Sequence, residues 1–271
     1  VVGAGAATVL GNIAITPVCL YLLFSPRQAL FLTRRTLKVR LPVLARLTRV
    51  AAPAAFSQAL SSLGFLVLQT VILSYGAEVA AAFSIGNKIS NILLMPVLAL
   101  GSVLAAYVGQ NIGAGSGDRA RRAYVVSRNL GFLIAVAGSL ILLPFRETLV
   151  ELLSNDPATQ AQAVVYMFWV LLTQPLMALF QNYLGVFNGS GRTMYAFLMS
   201  TCRLWAIRLP LIMAFRSLTS LGASGVWYAM NISNFLILIL GALLFRHVSF
   251  APCSVVAAAE REEARTGVSS T

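Results

Sequence analysis

The sequence predicts an all-α integral membrane protein with seven transmembrane helices, and three observations carry that prediction. Of its 271 residues, 58% are hydrophobic and 10% charged, whereas soluble domains carry about a quarter charged residues; the mean hydropathy is +0.82. The apolar residues gather into seven runs, each long enough at about 1.5 Å per residue to cross about 30 Å of hydrocarbon. The 20 basic residues, against 8 acids for a net charge of +12, fall mostly in the gaps between those runs. They therefore read as topology signals beside anionic lipid headgroups, and nucleic acid is not expected as a partner.

The first span runs from Val1 to about Phe24 and is apolar apart from Thr8, Asn12 and Thr16. Val1 is neither an initiator methionine nor the basic start of a signal peptide, so the chain is expected to begin inside a longer protein. Residues 25–49 bring Arg27, Arg34, Arg35, Lys38, Arg40, Arg46 and Arg49 with no acid. The positive-inside rule makes them a cytoplasmic connector, and no aromatic interleaving of the kind that stacks bases accompanies their charge.

The second span, Ala51 to Ser74, turns outside at Tyr75 to Glu78, and the third runs from Val79 to Val108. It returns to the cytoplasm at a hydrophilic, glycine-dense loop, Gly109 to Arg122, whose Arg119, Arg121 and Arg122 mark its side. A fourth span, Tyr124 to Phe145, leads to an acidic external segment, Arg146 to Gln160. Within it, Asn155-Asp156-Pro157 predicts a capped helix start with Pro in the first turn. The fifth span, Gln162 to Phe187, ends at the cytoplasmic glycine turn Asn188 to Arg192. The sixth runs from Thr193 to Phe215 and the seventh from Val226 to Phe245, ending at Arg246 and His247. Residues 248–271 form a charged tail, predicted to be cytoplasmic and solvated.

Enzyme classes are excluded by what is missing. There is no HExxH, GxSxG or Walker A motif and no cluster of His, Asp and Glu within a span. Cys19, Cys202 and Cys253 are far apart and indicate neither a disulfide framework nor a metal site, and His247, at the end of a span, reads as interfacial. No cofactor is expected.

The informative polar residues lie inside the spans at helical spacing. Gln58, Ser62 and Gln69 share a face of the second span; Ser84, Asn87, Lys88 and Asn91 lie on a stripe of the third. Gln174, Gln181 and Asn188 align on the fifth with Asn182 beside them, and Asn231 and Asn234 align with Trp227 on the seventh. Amides in hydrocarbon need partners, so these stripes should face one another or a wet cavity. Taken singly, each could equally be an interhelical hydrogen bond worth about 0.6 kcal/mol; their coincidence on four helices favours a substrate cavity. Lys88, near the midplane, costs about 2.5–3.5 kcal/mol on insertion scales and needs a reason to be kept, either as an element of a transport pathway or as a buried lysine bonded to carbonyls. Arg203 and Arg208 are five apart and should not share a helix face. None of the eight acids lies deep in a span. Pro53, Pro96, Pro175 and Pro210 mark candidate bends.

Several linked motifs carry a resemblance. They are Gly64-Phe-Leu-Val-Leu-Gln69 with Gly76, Leu94-Met-Pro-Val-Leu-Ala-Leu-Gly101 leading to Gly109-Gln-Asn-Ile-Gly-Ala-Gly115, Gly185-Val-Phe-Asn-Gly-Ser-Gly-Arg-Thr193, Trp205-Ala-Ile-Arg-Leu-Pro210 and Gly222-Ala-Ser-Gly-Val-Trp227. In order and spacing they resemble the C-terminal half of the multidrug and toxic compound extrusion (MATE) family, nearest its bacterial DinF-like branch.

The resemblance implies a plasma-membrane antiporter of twelve helices in two lobes, driven by protons or sodium and exporting amphipathic, mostly cationic compounds. Residues 1–24 would be the last helix of an N-terminal lobe that this chain lacks, 25–49 the connector between lobes, and 50–247 the six-helix C-terminal lobe. Where relatives resembling NorM carry a glutamate, this chain has Ser61 or Ser62, and Gln181 and Asn182 stand in the region of their second acid. The DinF-like pattern fits better, with its essential acid in the other lobe and a proton rather than sodium as coupling ion. The alternatives are a lipid-linked saccharide flippase of the same superfamily and a non-transporting seven-span receptor or scaffold.

Overall fold

The computed structural model describes Val9, residues 11–17, Tyr21, residues 41–218 and residues 222–248. The chain divides into two compact units, Val1–Arg49 and Val50–Thr271. Most of the predicted first span, the connector up to residue 40 and the tail from residue 249 lie outside the described residues. In the first unit, Val9, residues 11–17, Tyr21 and residues 41–49 are helical.

The elements are α1 (Leu41–Leu73), α2 (Ala77–Gly113), α3 (Gly117–Leu142), a short α4 (Arg146–Leu153), α5 (Pro157–Gly189), α6 (Thr193–Thr201), a π-helical turn (Cys202–Arg208), α7 (Leu209–Leu218) and α8 (Ala223–Phe245). Six stretches among the described residues are long and apolar enough to cross a membrane: Ala51–Leu73, α2, α3, α5, Thr193–Leu218 and α8. They fall on the second to seventh predicted spans. The chain is an all-α integral membrane protein.

The sequence boundaries need two corrections. The hydrophilic stretch Gly109–Arg122 is mostly helix, because α2 continues to Gly113 and α3 starts at Gly117. A turn this short needs a left-handed residue, supplied by Gly115 at φ 69°. The arginines are therefore on the first turns of α3. The external segment also contains α4, which buries Val150. The predicted helix start after Asn155 is observed: the Asp156 carboxylate accepts from the Thr159 N–H at 2.9 Å and from its hydroxyl at 2.6 Å, with Pro157 at the first helical position.

Helices α2 and α5 run parallel. Gly101, Ala105 and Gly109 of α2 face Gly185, Gly189 and the backbone of Gln181 on α5, and the small residues at this four-residue spacing let the two backbones touch. A Cβ on Gly185 would lie 2.6 Å from the Gly101 carbonyl oxygen. Helix α3 closes against the pair with Gly131 beside Asn182. At the end of the bundle carrying Glu78 and Asp156, Phe83, Tyr166 and Trp227 form an aromatic cluster, with Tyr166 and Trp227 centroids 4.2 Å apart. At the end carrying Arg192 and Arg246, Tyr124, Tyr183 and Phe245 group likewise.

Candidate functional site

Between these aromatic ends, α2, α5, the π turn and α8 enclose a cavity of about 250 Å³, with Phe65 of α1 at its edge. Asn87, Ser90 and Asn91 line it from α2; Thr173, Gln174, Met177 and Gln181 from α5; Arg203 and Arg208 from the π turn; and Trp227, Asn231 and Asn234 from α8. A second cavity of about 720 Å³ adjoins it, sharing Leu98, Gln181 and Arg203 and adding Gln58, Ser61 and Ser102.

Seven of the predicted site residues thus come together around the two cavities: Gln58, Asn87, Asn91, Gln174, Gln181, Asn231 and Asn234. Four do not. Ser62 and Gln69 are exposed on α1, outside both linings. Lys88 is exposed as well; one residue past Asn87 is a turn of about 100°, which carries its side chain off the lining stripe. Asn182 is fully buried between helices, accepting from the Ser127 hydroxyl at 2.7 Å and donating to the Ala178 carbonyl at 2.9 Å. It joins α3 to α5.

The two arginines correct a second expectation. In an α-helix, residues five apart point about 140° from each other, yet Arg203 and Arg208 line the same cavity. The backbone between them is π-helical, and its i→i+5 bonding gives the turn an extra residue. Pro210 offers no N–H to the Ala206 carbonyl, and in the widened turn ahead of it the Leu209 N–H donates to the Leu204 carbonyl. Trp205 anchors the turn to α1, donating Nε1 to the Leu60 carbonyl at 3.0 Å where Gly64 leaves room for the indole. Sequence spacing had set these residues apart; the proline two positions beyond Arg208 was the available signal.

Among the described residues, neither guanidinium meets a carboxylate. Arg208 donates Nε to Ser233 Oγ at 3.0 Å and Nη2 to Asn234 Oδ1 at 2.6 Å. Arg203 lies over the Phe180 ring, 4.5 Å from its centroid, and donates to Met177 Sδ at 3.4 Å. Gln174 donates to Ser90, across the α2–α5 boundary. Among the described residues, Arg203 Nε, Trp227 Nε1 and Gln174 Oε1 are buried without a hydrogen-bond partner. No acid lines either cavity among the described residues. The unpartnered atoms are closed off inside the walls, while the amides and guanidinia that line the hollow give it a polar surface suited to a ligand with polar groups of its own.

Residues 53–214 match the MatE family. The chain belongs to that family. Among curated relatives, this MatE chain is 25% identical over 228 residues to "Probable multidrug resistance protein YoeA" of Bacillus subtilis, covering 83% of this chain and 49% of that one. It is 29% identical over 201 residues to an FAD transporter of Shewanella oneidensis, covering 70% and 42%. The chain therefore spans about half the length of the curated relatives it matches. The fold is that of an outward-facing MATE transporter of the MOP superfamily, at TM-score 0.84 and 21% identity over 96% of this chain and 57% of that one. It is also that of a MOP transporter from Pyrococcus furiosus, described as having a binding pocket of reverse polarity, at TM-score 0.85 and 22% identity over 91% and 56%. Amides of α2, α5 and α8 line the hollows of this MatE chain.

Proposed function

We propose that this chain is the C-terminal lobe of a multidrug efflux antiporter of the plasma membrane. It would work by alternating access with an N-terminal lobe and carry an amphipathic small molecule through the cavity that α2, α5, the π turn and α8 line. The observation that supports this most directly is a hollow walled by amides and two guanidinia in a bundle whose outer faces are apolar. Amides and arginines at that depth are expensive unless they meet a ligand or water. Coupling by a proton fits better than sodium, because no carboxylate among the described residues reaches either cavity. The coupling acid would then lie in the other lobe. By the positive-inside rule, the basic residues at the α3 start and after α8 support a cytoplasmic location for that end of the bundle and for the C-terminus.

The test uses the full-length carrier in inverted vesicles. Replacing Gln58, Gln181 and Asn231 together by leucine is expected to abolish dye export while the protein still inserts and is extracted at wild-type abundance. Export at the wild-type rate would remove the cavity from the pathway. Collapsing the pH gradient should stop export, and removing sodium should not.

A further inference from the structure

The charge in the cavity has one sign. Arg203 and Arg208 both line it, and no Asp or Glu among the described residues does. A cation retained within a span normally has a carboxylate partner or saturated donors. Here Arg208 uses two of its five N–H groups on neutral side-chain oxygens, and Arg203 uses one on a thioether. Phe65 and Met177 supply apolar surface beside these arginines.

We propose that the cavity takes an amphipathic organic anion. Its carboxylate, sulfonate or phosphate sits against Arg203 and Arg208, and its apolar part lies against Phe65 and Met177. Guanidinium forks match such groups in geometry as well as charge. The π turn serves this purpose, since only the extra residue brings both forks to one wall. The proposal rests on the transport reading above, and it departs from the cationic substrate that the family resemblance implies.

Binding and transport are measured separately on the purified full-length carrier, with carboxyfluorescein as anionic probe and ethidium as cationic probe. Wild type is expected to bind carboxyfluorescein more tightly than ethidium, and Arg203→Gln to weaken the anion by about tenfold or more, as loss of a charge-assisted hydrogen bond does, without weakening ethidium. Arg203→Lys, which keeps the charge, should stay within a few-fold of wild type and so separates charge from folding. Preference for ethidium in wild type overturns the proposal, as does unchanged carboxyfluorescein binding in both Arg203→Gln and Arg208→Gln. Anion binding without export of either dye leaves the anion site standing and sinks the transport reading. Displacement of carboxyfluorescein by a prenyl pyrophosphate well below the concentration needed with free pyrophosphate would identify a lipid-linked anion as the source, and equal displacement a soluble one.

Discussion

Helix α5 has two sides built on opposite rules. Toward α2 and α3 it presents Gly185, Gly189 and the fully buried Asn182, and the backbones there approach until no side chain fits between them. Around the cavity it presents Gln174, Met177 and Gln181 beside Asn87 and Asn91 of α2, the π turn and α8, and a hollow stays open. Gln181 and Asn182 are chain neighbours with similar amides and opposite fates. What separates them is the facing helix. Gly131 and Ser127 of α3 come close enough to satisfy Asn182, whereas across from Gln181 stand arginines and large apolar side chains that hold the walls apart.

The largest expected effect comes from forcing the closed side apart. Gly185→Val puts a branched side chain where even a Cβ would stand 2.6 Å from a backbone oxygen of α2, and backbone cannot rotate away as a side chain does. The cost should reach about 3 kcal/mol, the upper end of overpacking. The expected readout is a collapse in the yield of monodisperse full-length protein. A wild-type melting temperature for this variant would break the distinction between the two sides.

The neighbouring amides give a sharper and smaller contrast. Asn182→Leu leaves the Ser127 hydroxyl without its acceptor and should lower stability by about 0.6 kcal/mol, and by no more than about 1.7, while transport per folded molecule persists. Gln181→Leu should change stability by less than about 0.5 kcal/mol, since it touches no interhelical bond, and should depress transport strongly. Melting curves and export rates on the two variants give a crossed pattern if the sides differ as described; parallel losses would merge them.

The sequence reading reaches this contrast only in part. The six described spans were legible because burial in lipid demands uninterrupted apolar runs, and the start of α5 was legible because Asp-Pro states its own cap. The amide stripes on α2, α5 and α8 were legible from a 3.6-residue period. Which stripe residue joins helices and which lines a hollow was not, because a period describes one helix and that choice belongs to its neighbour. Lys88 shows the same limit: it stands one residue off the lining stripe and is exposed, outside both cavities. The arginine pair escaped for a different reason. Spacing arguments assume one helical pitch, and the π turn before Pro210 changes the pitch where it matters.

The smallest expected effect lies at the start of α5, outside both sides, and tests whether they move as one body. The Asp156 carboxylate is held below the usual carboxylate range first by the Thr159 hydroxyl and then by the Thr159 N–H, both of which donate to the charged form. A depressed pKa in the folded state means a stabilising contribution fully present above the unfolded-state value of about 4 and lost as pH falls through the lower folded value. Asp156→Ala should therefore melt below wild type at pH 7, and the gap should close as the medium is taken below about pH 4. Because the cap acts on the helix as a whole, the loss at neutral pH should be the same in the Asn182→Leu and Gln181→Leu backgrounds, as for distant sites that add independently. A larger loss in the Asn182→Leu background than in the Gln181→Leu background would show that α5 is held mainly through its closed side, with the open side contributing lining and little hold.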